Sequence, residues 1–209
     1  MAKIYFFAIL FVGLCGNAQA PVLSIFGDRG SRISNAYYKD NNNDFDKFVG
    51  TWKSSVGNNV LTITFQKKPM HYMSGYPTPF YEDILIGGYI YSVNGNALVN
   101  TMSQLSAPPT NVFNFNLLSI DILRTFSVPA CNECAPNERR ISMEFTDPTR
   151  TEVQGLSATL VLRHVVENGV EKIKAKLIQT GNVIYDLGTT PPYYSFNVPF
   201  GEYILVKQP

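Results

Sequence analysis

The sequence predicts an all-β protein, an antiparallel up-and-down barrel of about eight to ten strands with a β-sandwich as the alternative. Three observations carry this. From Gly50 onward, apolar and polar residues alternate with a period of two in run after run. Asn-Gly and Gly-Asn pairs separate several of the runs, where tight hairpin turns need positive φ. No stretch sustains an apolar period of 3.6 residues over an ordinary helix length.

The bulk numbers agree. With 209 residues, 45% hydrophobic, 16% charged and 13% aromatic, the chain is long enough for one well-cored β domain and resembles extracellular β proteins in its low charge. Met1-Ala2-Lys3 and the apolar run Ile4 to Leu14 form a signal peptide over residues 1–18, with cleavage after Ala18 because a cut after Ala20 would leave Pro21 next. Cys15 raises a lipoprotein reading, but Leu14 stands where a small residue is wanted. The run is too short to span a bilayer, so the expectation is a chain secreted or held in the periplasm or cell envelope, with no transmembrane segment after cleavage. Cleavage removes Lys3 and leaves sixteen basic against sixteen acidic residues, a neutral chain with no electrostatic footprint for nucleic acid.

Residues 19–47 read as a linker or N-terminal arm. Asp40-Asn41-Asn42-Asn43-Asp44-Phe45-Asp46 spaces its oxygen side chains as a calcium loop does. Phe45 replaces the motif's glycine and Thr51 its closing glutamate, so a solvated polar tether is preferred, with Tyr37 and Tyr38 free to dock on the barrel wall. The single barrel domain is expected over residues 48–209. Its first strand places Trp52 and Val56 on one side and Thr51, Lys53 and Ser55 on the other. Gly57-Asn58-Asn59 turns it into a strand with Leu61, Ile63 and Phe65 on one face.

Residues 68–80 hold three prolines and several aromatics and read as a long loop. His71, Tyr72, Met73, Tyr76 and Phe80 are its candidate ligand-binding residues at a barrel mouth, the alternative being that they cover a barrel wall. Residues 81–93 form a long strand whose Gly87-Gly88 suggests a bulge or bend. Glu82 and Asp83 are neighbours on it and so face opposite ways, which rules against a matched catalytic pair. Asn94-Gly95-Asn96 closes a second hairpin. Strands follow at residues 112–118, with Phe113, Phe115 and Leu117 alternating with Asn, and at 120–126, 139–145, 158–166, 170–178 and 203–207.

Cys131 and Cys134 make a Cys-x-x-Cys in a proline-bounded loop. Zinc would need two more ligands, and His71 and His164 are far away in sequence; a redox dithiol would need a following helix; in an oxidising compartment the default is a local disulfide.

The Gly50-Thr51-Trp52 start, placed just after the N-terminal segment and ahead of a run of strands, resembles the lipocalin and wider calycin group. That resemblance implies an up-and-down barrel in which Trp52 closes one end beneath a basic side chain near the last strand. Lys207 holds the comparable place, although a lysine lacks the planar guanidinium that stacks on an indole. Gly50, Trp52, Lys207, Cys131 and Cys134 are thus expected to be structural. The Asn/Asp tract, the Trp strand and the Asn-Gly hairpins also resemble small secreted proteins of the flavobacterial kind, which implies a location and no activity.

Enzyme motifs are absent: there is no Gly-x-Ser-x-Gly, no His-Glu-x-x-His and no phosphate-cradling glycine loop, and the two histidines leave few general bases. The expectation is a secreted binding protein for a small hydrophobic ligand, without cofactor or metal. Its alternative is a structural factor contacting an envelope protein, with Tyr76, Tyr193 and Tyr194 exposed together as a patch.

Overall fold

The computed structural model describes residues 20–27 and 31–209, so the signal-peptide reading of residues 1–18 lies outside the described residues. The strands are β1 (Val22–Ser24), β2 (Tyr37–Lys39), β3 (Gly50–Val56), β4 (Asn59–Met73), β5 (Phe80–Val93), β6 (Asn96–Asn100), β7 (Leu117–Leu123), β8 (Arg140–Phe145), β9 (Ser157–Glu167), β10 (Val170–Gly181) and β11 (Gly201–Lys207). One short helix, α1 (Ser103–Ser106), and 3-10 turns at Asp46–Phe48 and Val112–Asn114 complete the list of regular elements among the described residues.

Eight of these strands, β3-β4-β5-β7-β8-β9-β10-β11, close antiparallel into a barrel when β11 pairs with β3. The all-β barrel is therefore present, and the sandwich alternative is not. Inward-facing residues follow the alternation. Ser54 lies opposite Leu61, Trp52 opposite Ile63 and Gly50 opposite Phe65, while Leu61 faces Tyr91 and Ile63 faces Tyr89 on the other side. From β8 to β11 the same face carries Ile141, Leu162, Ala175 and Tyr203, then Met143, Leu160 and Leu177. Trp52, Ile63, Phe65, Tyr89, Ile141, Met143, Leu162, Ile173 and Leu205 are fully buried, so side chains fill the middle of the barrel.

The β4–β5 hairpin departs most from the sequence reading. Residues 68–73 are not loop: β4 runs on to Met73 and β5 begins at Phe80, with His71, Tyr72 and Met73 opposite Glu82, Tyr81 and Phe80. Pro69 cannot donate to a ladder, and the register shifts between Lys68 and His71 to accommodate it, with Met70 at φ +51°. The ladder between β4 and β5 passes Gly87 and Gly88 without a register shift, so those glycines do not mark the expected bulge. They permit close approach instead. A Cβ at Gly87 would lie 2.9 Å from the Phe65 ring, and one at Gly88 would lie 3.1 Å from Thr101 O as the chain after β6 crosses β5.

The described residues of the arm, 20–27 and 31–47, are docked, which corrects the tether reading. β1 pairs parallel with β2, and β2 pairs parallel with the start of β5. Asp40 and Asp44 are buried, and both Asp40 oxygens are occupied: Oδ1 accepts from Asp44 N at 2.8 Å, and Oδ2 accepts from Phe45 N at 3.0 Å and from Lys67 Nζ at 3.1 Å. Arg139 Nε donates to Asp44 Oδ1 at 2.8 Å and Lys67 Nζ to Asp46 Oδ1 at 2.7 Å. The carboxylates that mimic a calcium loop thus face protein cations and backbone amides, while Asp44 Oδ2 is buried with no partner among the described residues. The Val112–Leu118 strand is also corrected. Its first half is a 3-10 turn capped by Asn111, burying Val112 and Phe115, and β7 starts only at Leu117.

Candidate ligand site at the barrel mouth

The barrel's two ends differ. At one, the 3-10 turn Asp46–Phe48 leads into β3, and Trp52 Nε1 donates to Phe48 O at 2.7 Å with both rings fully buried. Lys207, opposite Trp52 in the β11–β3 pairing, sets its Nζ 5.4 Å from the indole centroid, within cation–π range. The same Nζ donates to Glu171 Oε1 and Oε2 at 3.0 and 2.8 Å, and His164, edge-on to Trp52, places Nε2 3.2 Å from Glu171 Oε2. The Lys207 ammonium and then His164 hold the Glu171 carboxyl below its ordinary range.

At the other end, the loop of residues 182–200 folds back over the barrel. Its anchor is Asp147, whose Oδ2 accepts from the Asn197 backbone N–H at 2.9 Å and from Asn197 Nδ2 at 3.1 Å, while Oδ1 accepts from Thr149 N and Oγ1. Arg150 lies 4.5 Å over the Tyr193 ring, and Tyr193 Oη accepts from Glu152 N. So held, the loop buries Phe196 and Val198, and Phe196 packs on Phe145 with centroids 5.7 Å apart.

Beside this plug a cleft of about 210 Å³ stays open, lined by Ser54, Leu61, Tyr91, Phe200 and Tyr203 among others. Two residues further along the same strands stand Ile63, Tyr89 and Leu205, all fully buried, which makes the cleft shallow. Its walls are mostly apolar, with Asn59, Glu202 and three hydroxyls as the polar side chains. Tyr203 donates to Pro199 O at 2.5 Å. Ser54, 5% exposed, and Tyr91, 3% exposed, take no hydrogen-bond partner among the described residues. Burial, then the neighbouring Tyr91, pushes the Tyr203 phenol up to about 12, and burial alone raises Tyr91. Both phenols are neutral at physiological pH; the Tyr203 O–H is spent on Pro199 O, which leaves the Tyr91 O–H as the donor to a ligand. Glu202, the carboxylate on the rim, is paired with Lys176. This arrangement can hold a ligand, and nothing in it pairs a nucleophile with a base.

The residues singled out for a mouth lie elsewhere. Met73 is twelve positions beyond Leu61 on β4, roughly 40 Å of strand. Met73 and Phe80 are core residues, Phe80 under Tyr38 and the Arg32 guanidinium, which sits 4.1 and 4.6 Å over the two rings. Tyr76 packs between Phe80 and Phe113. His71 and Tyr72 line a second cleft of about 400 Å³ with Ser74, Thr110, Asn111 and Asn114, a more polar setting; burial and then Lys68 lower the His71 pKa. Tyr76, Tyr193 and Tyr194 form no common patch: Tyr193 is 9% exposed beneath Arg150, and Tyr194 packs on Tyr185. Cys131 and Cys134 are bonded, in agreement with the disulfide reading.

Ser54 escaped notice in the sequence although its position carries the signal. It shares the inward register of Trp52, where a hydroxyl interrupts an apolar series.

A family model described as a family of unknown function (DUF6705) matches residues 1–208. The chain belongs to that family. No curated protein and no solved structure gives a significant match to it. Membership of DUF6705 carries no activity with it, so the chemistry of the clefts is the guide to function. No described helix is long and apolar enough to cross a membrane.

Proposed function

We propose that this DUF6705 protein is an exported binding protein whose barrel mouth takes a small, mostly apolar ligand bearing one polar group. The observation that supports it is the cleft of about 210 Å³ in which Ser54 and Tyr91 hold unpartnered hydroxyls against an apolar wall. An apolar cavity of about 150 Å³ accommodates benzene, so this volume suits one or two rings. A hydroxyl at such a wall, with no partner in the chain, can supply the hydrogen bond that a ligand's polar group needs on leaving water. Export is supported by the leader pattern of residues 1–18 and by the Cys131–Cys134 disulfide, which persists in oxidising compartments. The mature chain then begins at Gln19, which N-terminal sequencing of protein recovered from the native host checks.

Ligand-observed NMR with phenol, indole and cyclohexanol tests the mouth. Dissociation constants of roughly 0.1–1 mM are expected for ligands of this size. Ser54→Leu, which fills the cleft, should abolish binding, while Tyr72→Ala should leave it unchanged. If none of the three probes binds, or if Tyr72→Ala rather than Ser54→Leu removes binding, the mouth is not the site.

The filled barrel interior favours a second reading, a structural factor of the envelope that contacts another protein. The exposed Ile184, Tyr185, Leu187 and Tyr194 on the loop of residues 182–200 would be its contact surface. Under that reading the probe screen is blank, and Tyr185→Ser with Leu187→Ser removes crosslinks to an envelope protein.

A further inference from the structure

A third, larger cleft lies outside the barrel, where the Cys131–Cys134 loop overhangs the outer faces of β9, β10 and β11. Its volume is about 480 Å³, within the ordinary range for a small-molecule site. Pro129, Ala130 and Cys131 form the overhang, and Val161, Lys174 and Ile204 are among the residues of the opposite wall. The overhang is held firmly in place. Arg140, which also lines the cleft, donates from one terminal nitrogen to Pro129 O at 2.7 Å and from the other to Arg124 O and Ser127 O at 2.9 and 3.1 Å. Arg163 pins the other half, donating from Nε to Glu138 Oε1 at 2.7 Å and from a terminal nitrogen to Glu133 O at 2.9 Å.

The charges inside do not balance. Four cations line the cleft, Arg140, Arg163, Lys174 and Lys176, against the carboxylates Glu133 and Glu202. Arg163 consumes Glu133 together with Glu138. Lys174 must share Glu167 with Lys172, at 3.1 and 2.9 Å. Lys176 has Glu202 alone, in a pair exposed on both sides and so easily exchanged for another anion. Arg140, itself 3% exposed, keeps its Nε–H buried with no partner among the described residues. Two exchangeable ammoniums thus border a wall that also presents Val161 and Ile204.

We propose that this cleft binds a small organic anion with an apolar body, such as an aromatic carboxylate or sulfonate. The anionic group sits at Lys174 and Lys176, and the apolar body lies between Ile204 and the disulfide loop. This site is separate from the barrel mouth and stands or falls independently of it. Its position beneath a disulfide also makes the loop's covalent closure part of the binding surface.

The test is fluorescence titration of the mature chain with 8-anilinonaphthalene-1-sulfonate, alongside its neutral counterpart N-phenyl-1-naphthylamine. The sulfonate should bind saturably, and Lys174→Glu with Lys176→Glu should weaken it about tenfold, as should raising the salt concentration to screen the pair. Ile204→Asp, on an exposed position that leaves the core untouched, should weaken it likewise, and Ser54→Leu should leave it unchanged. The amine should show no dependence on Lys174 or Lys176. Sulfonate affinity within twofold of wild type in both cleft variants, no sulfonate binding at all, or binding lost only in Ser54→Leu would each overturn the proposal.

Discussion

At the Trp52 end of the barrel, most polar side chains meet partners within the chain, buried Asp44 Oδ2 being an exception. At the mouth, two hydroxyls wait for a partner. Both ends are built from the same alternating strands, so the difference comes from what the chain lays across each. The arm forms a braced series at the closed end. Asp83 Oδ2 accepts from Asp40 N at 2.9 Å, Asp40 accepts from Asp44 and Phe45, Phe45 leads into the Asp46–Phe48 turn, and Phe48 O receives the indole N–H. Across the mouth lies one loop, anchored at Asp147 and plugging only part of the opening with Phe196 and Val198. The comparison teaches that the same strands can end in two ways, tied off by a connected series of side-chain and backbone bonds at one end and covered by a loop held at Asp147 at the other.

The largest test of this contrast is Trp52→Ala. It removes the largest fully buried side chain of the chain and the bond to Phe48, and should lower unfolding free energy by about 3–5 kcal/mol in a denaturant titration. A loss near 1 kcal/mol would mean that the indole is not the keystone of the closed end. Asp83→Ala should come next. This carboxylate, 2% exposed, accepts from Tyr37 Oη at 2.5 Å, Asp40 N at 2.9 Å and Met70 N at 2.8 Å. Leaving those donors buried should cost about 2–4 kcal/mol. Hydrogen exchange should then rise in the arm before it rises in β9 and β10.

Alkaline pH probes both ends together. Burial and the bond to Asp83 raise Tyr37 to about 12, and burial raises Tyr203 to about 12. A folded pKa above the unfolded value of about 10 means that the unfolded chain releases its proton first. The contribution is complete below pH 10 and is lost as the pH climbs towards 12. Absorbance titration at 295 nm should show late-titrating phenols in the folded protein. Tyr203→Phe should remove one of them, and denaturation should bring the rest back to about 10.

A smaller effect is expected for Lys207→Met, which removes a cation from the indole face and a half-exposed partner from Glu171. About 1 kcal/mol or less is the expected loss in a thermal or denaturant scan. The Glu171 contribution has the opposite pH sense from the phenols. Its depressed pKa makes the pairing fully present above the ordinary carboxylate range and lost as pH falls through the folded value. The variant should therefore narrow the gap between stability at neutral and acidic pH.

Much of the barrel could be read from the sequence because a period of two is a local signal, visible in Leu61-Thr62-Ile63-Thr64-Phe65 or Ile141-Ser142-Met143 without knowing what they touch. The Asn94-Gly95 and Asn168-Gly169 turns were equally legible, since both residues of each pair adopt positive φ. What failed was non-local. From Glu82 to Tyr89, β5 is buried on both faces, because the arm and the chain after β6 cover its outside, so alternation vanishes there. β1 and β2 have three residues each and pair parallel, leaving no pattern long enough to detect. Phe113 and Phe115 imitate a strand but belong to a 3-10 turn and its cap. The aromatics of residues 68–80 suggested a mouth because they sit in a proline-rich stretch. In space Phe80 packs under the arm, Tyr76 lies between Phe80 and Phe113, and Tyr72 lines a separate polar cleft, while the cleft at the mouth uses Ser54, Tyr91 and Tyr203 from three separate strands.

The smallest effect is the sharpest discriminator between the two ends. Ser54→Ala and Tyr91→Phe each delete a hydroxyl that opens on the cleft from a residue otherwise more than nine-tenths buried. Where a buried polar group has partners, deletion strands them; where a hydroxyl has none in the chain and opens on a cleft, deletion strands nothing. Both variants should therefore match wild-type stability, within about 0.5 kcal/mol. Both should also weaken phenol and indole binding severalfold, because the ligand's polar group loses its counterpart. If either variant unfolds 2 kcal/mol more easily, its hydroxyl is already satisfied within the chain, and the mouth is sealed in the same manner as the other end.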